Sequence, residues 1–235
     1  MSIAAITSRD EAERRAAGQI AAALTGAINE LGHASLALPG GRSIVGVLTH
    51  LRSLPVRWEA VTVIPADERV LPPGEPDRNW TVIEREFTRP LHDRGAMSGN
   101  RAIAFPHEPE APDWGLTRFE REIDLPRNAE GVLTIDVMVL GVGEDGHVAS
   151  LFPGSPLLES EHAGYLRVDD SPKPPPRRIT VSPRMIRASG LAVVLFLGES
   201  KADALRAFTD GESGVSRCPA RLALEARRCE VCAGF

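Results

Sequence analysis

Lysine is nearly absent from this chain. Lys173 and Lys201 are its only lysines, and arginine supplies the rest of its 27 basic residues. Genomic composition accounts for most such biases, but a lysine among arginines can mark a place that requires a compact ammonium. Cysteine is sparse too: Cys218, Cys229 and Cys232 are an odd set of 3. That excludes a disulfide framework and fits a reducing compartment. Cys229 and Cys232 form a lone C-x-x-C. It lacks the second ligand pair of a structural zinc site and the following helix of a redox motif, so the thiols read as inert. No apolar run reaches the roughly 18–20 residues of a membrane helix. The first residues carry acids and lack the apolar core of a secretory leader, so we expect a cytoplasmic protein. Positive charge is not in excess, at 27 Lys and Arg against 32 Asp and Glu. Neither nucleic acid nor a membrane surface is therefore expected as partner, although a local patch can still hold a small anion. His33, His50, His92, His107 and His162 lack ligand spacing, so no metal is expected. The absence of a G-x-S-x-G elbow argues against a serine esterase.

What is present is an ordinary globular composition, 43% hydrophobic and 25% charged over 235 residues. We expect a single domain over 1–235. Ser8 or Asp10 starts a helix that runs to about Leu31. Strands are expected over 34–41, 60–68, 101–106, 133–143, 165–168, 177–182 and 191–198, with a last one in the tail. Helices are expected over 42–51, 80–91, 113–124 and 199–210. The alternation implies an α/β fold: a three-layer, Rossmann-like sandwich around a mostly parallel sheet. In such sheets ligands bind beyond the carboxyl ends of the strands. Four polar clusters fall there: residues 40–43, 67–69, 144–147 and 198–201.

The run from Val139 to Gly154, VLGVGEDGHVASLFPG, contains G-x-G-x-x-G. A pyrophosphate reader needs a full helix behind the third glycine. Pro153 and Pro156 leave room for about two turns, and Glu144 and Asp145 would set carboxylates beside the phosphates. The alternative is a tight turn that presents Asp145 and His147. Imidazole titrates near neutrality, which suits a general base. Equally, Asp145 could cap a short helix with His147 in its first turn.

The combined motifs resemble the 6-phosphogluconolactonase family. GVGEDGHVASLFPG is similar to its signature, LALPGGRS to its first glycine loop, and PADERVLPPGEPDRNW to its Asp-Glu-Arg motif with a loop ending in Asn79. SPKPPPRRIT and LGESKADAL resemble its proline-rich and lysine motifs. The likeness runs from about Leu36 to Leu205. Glucosamine-6-phosphate deaminases share the Asp-Gly-His but continue toward Phe-Asn-Glu-Pro, where this chain has Ala149-Ser150-Leu151-Phe152-Pro153.

The resemblance implies hydrolysis of 6-phospho-D-glucono-1,5-lactone by direct water attack, without cofactor or metal, on a monomer or homodimer. His147 would be the general base, with Asp145 or Glu144 orienting it. Arg69 and the amides of the 141–146 turn are the donors for an oxyanion, or Arg69 binds phosphate instead. Gly40, Gly41, Arg42 and Ser43 open a helix that favours the phosphate. Arg178 would add a bidentate fork and Lys201 a point charge, and Asp67 would contact a sugar hydroxyl. Two other readings remain: an aldose–ketose isomerase or deaminase in which His147 opens the sugar ring, and a non-catalytic sugar-phosphate sensor.

Overall fold

The computed structural model describes the backbone of residues 2–3 and the whole of residues 6–235. In chain order the strands and helices are β1 (Ser2–Ile3), α1 (Arg9–Leu31), β2 (Ala34–Leu38), α2 (Val45–Leu51), β3 (Val61–Pro65), β4 (Asp67–Arg69), α3 (Asn79–Ile83), α4 (Arg89–Asp93), α5 (Leu116–Ile123), β5 (Val137–Gly141), β6 (Tyr165–Val168), β7 (Arg178–Val181), α6 (Pro183–Arg187), β8 (Leu191–Leu197), α7 (Ala202–Thr209) and β9 (Cys229–Gly234).

The main sheet has 6 strands in the order β1-β9-β8-β5-β2-β3. Every pairing in it is parallel. Both of its faces are covered, which is why its central strands are continuous apolar runs. Successive side chains of a strand alternate between faces. Leu36 and Leu38 of β2, Val137 and Val139 of β5, and Val193 and Leu195 of β8 pack on the side of α1 and α2. Ala37, Met138, Leu140, Val194 and Phe196 pack on the opposite side, with Phe119 of α5 and Phe208 of α7.

Helix α1 illustrates how sequence sets an element. Its cap is Ser8, whose hydroxyl accepts from the Glu11 amide, and Gly32 ends it at φ 81°. Glycine adopts that left-handed conformation at no steric cost. Between the caps, Ala12, Ala16, Ile20, Leu24 and Ile28 recur on one buried stripe. At the amino ends of the two central strands, Asp136 accepts from both the amide and the hydroxyl of Ser35, at 2.8 and 2.7 Å, tying β5 to β2.

Three expectations are corrected. The strand expected over 60–68 breaks at Ala66 and hands the chain to a second sheet. The Ala66 amide donates to Leu38 and its carbonyl accepts from Val181. That sheet, β4-β7-β6, is antiparallel and small. The strand expected over 101–106 is reduced to a single bridge between Val63 and Ala102, because residues 99–101 wind into a 3-10 turn instead. The helix expected over 80–91 runs from Asn79 through a π-helical turn at Glu84–Thr88 to Asp93.

The tail does form a strand. Spaced three apart on it, Cys232 and Cys229 point to opposite faces of the sheet, into different halves of the core. They cannot close on each other, and burial pushes both thiols up to about 11.

Candidate active site

The order of the main sheet creates a crevice. From β2 the chain moves outward to β3, whereas from β5 it moves the other way to β8 and β9. The loops after β2 and β5 therefore diverge, and ligands in open α/β sheets bind where this happens. A cleft of about 330 Å³ lies there. It is lined by Gly40 and Ser43 after β2, Asp67 and Arg69 of β4, Asn79, residues 141–144 and His147 of the turn after β5, Lys173, Arg178 and Lys201, while Asp145 stands behind His147.

The glycine turn after β5 leads into no helix; residues 143–150 are turns and isolated bridges. The phosphate-facing dipole of a dinucleotide site is missing, and so is the short helix that Asp145 might have capped. What the turn does instead is fold the Asp145 side chain onto His147. The two meet at 2.5 Å between Asp145 Oδ1 and His147 Nδ1. A carboxylate acceptor at Nδ1 assigns the proton there and leaves Nε2 as the basic nitrogen. Burial works against the charge on Asp145, but the hydrogen bond and charge of His147, and then Lys173, hold its carboxyl well below the usual range. Glu144, the other expected orienting acid, lies in the cleft lining and makes no such bond.

Gly143 makes the arrangement possible. A Cβ there would stand 2.0 Å from His147 Nδ1 and 2.5 Å from Asp145 Oδ1. Gly143→Ala is thus expected to displace the imidazole and lower turnover ~10²-fold, the usual cost of a misplacement of about 1 Å. Steady-state kinetics check this, and unchanged kcat would mean the ring shifts without loss. The Phe152 ring supports the other side of the imidazole, with centroids 4.6 Å apart. Next to it, Ala149 is held at φ 50°, a conformation alanine rarely adopts. Such strain costs roughly 1–3 kcal/mol and clusters at functional sites.

The opposite wall is cationic. Arg69 and Arg178 face each other directly across β4 and β7. Like charges in that register are destabilising. Burial, then Arg69, push the Arg178 pKa down, while Asp67 opposes this. Lys201 is lowered too, first by burial, with Lys173 adding to the effect and Glu144 and Asp145 opposing it. Asp67 is fixed rather than free: Ser150 Oγ donates to it at 2.6 Å and Asn79 Nδ2 at 2.9 Å. Gly40 is required here as well, since a Cβ would lie 2.1 Å from Asn79 Oδ1.

Some expected residues take other places. Arg42 is exposed, and neither it nor Gly41 lines the cleft. With Gly41 at φ 88° the chain turns outward, so only the flanking Gly40 and Ser43 face inward. The helix expected from residue 42 begins as a 3-10 turn, Arg42–Ile44. The fork expected of Arg178 is already engaged. Its Nε donates to Pro175 and its Nη2 to Lys173 and Pro174, leaving Nη1, 3.4 Å from Ser150 Oγ, for a ligand. The oxyanion donors narrow as well. The amides of Val142, Gly143 and Gly146 bond to Leu195, His147 and Gly143, which leaves Arg69 and, beyond the end of β5, the amides of Glu144 and Asp145.

Lys173, which the sequence marks only by its rarity and gives no place in the site, stands in the cleft. Its Nζ lies 3.1 Å from Asp145 Oδ2 and 3.4 Å from His147 Nδ1. The signal was its rarity: both lysines of the chain line one cleft. As for metals, the described residues bring Asp10, Glu13 and His50 together away from the cleft. Arg14 and Arg9 already pair with the two carboxylates there, so the trio reads as an ion-pair network.

Among the described residues no helix is long and apolar enough to cross a membrane. The family model for glucosamine-6-phosphate isomerases/6-phosphogluconolactonase matches residues 7–232. A 6-phosphogluconolactonase of Streptomyces coelicolor is 34% identical over 200 residues, 80% of this chain and 75% of that protein. One from Borreliella burgdorferi is 31% identical over 193 residues, 82% of this chain and 80% of that protein. A crystal structure of a 6-phosphogluconolactonase from Shewanella baltica superposes with a TM-score of 0.81 at 25% identity, covering 96% of this chain and 94% of that one. The chain belongs to the glucosamine-6-phosphate isomerase/6-phosphogluconolactonase family.

Proposed function

We propose that this chain is a 6-phosphogluconolactonase, hydrolysing 6-phospho-D-glucono-1,5-lactone to 6-phosphogluconate in the oxidative branch of the pentose phosphate pathway. The observation that carries the reading is the Asp145–His147 pair on one side of a cleft that holds Arg69, Lys173, Arg178 and Lys201. Such clustered cations repel one another until an anion sits among them, and a phosphate dianion is the complement. His147 Nε2 takes a proton from water as that water attacks the lactone carbonyl carbon, and Asp145 stabilises the imidazolium formed. Arg69 and the free amides of the turn hold the developing oxyanion; its collapse breaks the lactone C–O bond, and the His147 imidazolium returns its proton to the departing ring oxygen, which becomes a hydroxyl. Lys201, Lys173 and Arg178 Nη1 hold the phosphate, while Asp67 and Asn79 order the sugar hydroxyls. No step calls on a cofactor. We place the enzyme in the cytoplasm, as a monomer or homodimer.

The deciding test is lactone hydrolysis measured above the spontaneous rate, with ammonia release from glucosamine 6-phosphate measured in parallel. Acid release alone supports the reading. Ammonia release without it would replace the lactonase with a deaminase, and tight binding of phosphosugar without turnover would leave a sensor.

Lys201→Ala is expected to raise KM about tenfold or more, with kcat less affected, since a charge-assisted contact is worth about 1.5–3 kcal/mol. Arg178→Ala should raise KM further, because it also frees the 173–175 segment that carries Lys173. Unchanged KM in both would remove them from the phosphate seat.

A further inference from the structure

Glu68 is the most deeply placed acid near the cleft, fully buried and absent from the cleft lining. In a strand its neighbours point the other way, so Asp67 and Arg69 line the cleft while Glu68 is directed into the protein behind it. Each of its oxygens is engaged. Oε1 accepts from the amides of Arg69 and Asn79, both at 2.7 Å. Oε2 accepts from the Trp80 amide at 2.8 Å and lies 3.5 Å from Arg78 Nε. Arg78, also buried, bonds to the carbonyls of Leu71 and Phe105. The loop between Arg69 and Asn79 is thus closed at both ends by one carboxylate.

That closure carries directly into the cleft. Asn79 Nδ2 donates to both the carbonyl and the carboxylate of Asp67, and Arg69 Nη1 bonds to the Asp77 carbonyl of the same loop. Keeping Glu68 charged is costly. Burial raises its pKa to about 7, against the lowering by Arg78 and the three amides. Arg78 is the charged group that faces it. A raised carboxyl pKa means the native state binds the proton better than the unfolded chain, so stability falls as pH rises from 4.5 to about 7. An apolar side chain of similar volume would commonly serve stability as well or better.

We propose that Glu68 is a positioning residue of the cleft, acting through the amides of Arg69 and Asn79 to hold Arg69, Asn79 and Asp67 in register for the phosphosugar. This rests on the lactonase reading of the cleft. The test compares wild type, Glu68→Gln and the charge-free pair Glu68→Gln/Arg78→Met in the full chain. The readouts are thermal midpoint, lactone kinetics, and calorimetric affinity for 6-phosphogluconate and for inorganic phosphate. In the pair variant no buried charge is left unpartnered, so the midpoint rises above that of Glu68→Gln, short of wild type because the Leu71 and Phe105 carbonyls lose Arg78. The Gln amide still opposes the Trp80 amide, donor to donor, so KM and the product Kd stay raised about tenfold or more. Recovery of KM and Kd together with the midpoint overturns the proposal. Should neither variant fold, wild type decides by NMR across the neutral range. The Glu68 carboxyl carbon and the Asn79 side-chain amide must titrate together, and separate midpoints overturn it. If wild type shows no lactone hydrolysis, the lactonase reading falls, while the affinity and NMR readouts still judge Glu68.

Discussion

Replacing His147 by alanine is expected to lower kcat at least ~10²-fold with KM little changed. A positioned general base contributes roughly 10²–10⁴-fold, and removing a group that acts only in the transition state lowers kcat and kcat/KM together. The split follows from placement. The imidazole is held by Asp145 on one side and Phe152 on the other, while the cations proposed to hold the phosphate come from other elements. Alanine also releases the partner that keeps the Asp145 carboxyl low, but that residue lies in a partly exposed turn. Background-corrected rates on purified variant and wild type check this. Turnover near wild type would remove His147 from the chemistry.

The second large effect is expected for Asp145→Asn, a fall in kcat of about 10²–10³-fold. An amide has no charge to stabilise an imidazolium. If its NH₂ turns toward Nδ1 it also selects the opposite tautomer, placing the proton on the nitrogen that should accept one. Lys173 worsens the loss. Its ammonium, 3.1 Å from Asp145 Oδ2, would then face the imidazole without an intervening anion and disfavour protonation of the ring. The pH dependence carries a sign. The Asp145 carboxyl is depressed below its ordinary value of 3.8, so its contribution to stability is present above that value and lost only as pH falls through the lower, native one. An acid limb of kcat/KM in the neutral range therefore does not come from Asp145. Near-normal kcat in Asp145→Asn would contradict the assignment.

The parts of the fold legible in the sequence are those where a single physical demand acts. β2, β5 and β8 are buried on both faces, so β5 and β8 show as uninterrupted apolar runs and β2 as one broken only by Ser35. β4 did not separate from β3, because the hand-over at Ala66 depends on hydrogen bonds to Leu38 and Val181, distant residues that no local pattern reveals. Residues 101–106 carry strand-like side chains, but the 3-10 turn before them leaves one bridge of register.

The candidate cleft divides in the same way. Glycines and charged residues at strand ends mark it, and Gly40, Ser43, Asp67, Arg69, Asn79, His147, Arg178 and Lys201 do meet there. Arg42 does not, since its direction is set by the φ of Gly41 and not by its neighbours' chemistry. Lys173 escaped because its proline-rich surroundings look like a surface connection. What brings it to Asp145 is Arg178, three residues beyond Pro175, whose guanidinium gathers the carbonyls of the turn.

Because the two side-chain amines of this protein stand in one crevice, amine-directed chemistry on its side chains becomes chemistry of that crevice alone. Acetylation, carbamylation or immobilisation through lysine, harmless on most surfaces, would here remove both ammonium charges from the cleft. The arginine-rich exterior is left untouched by the same reagents.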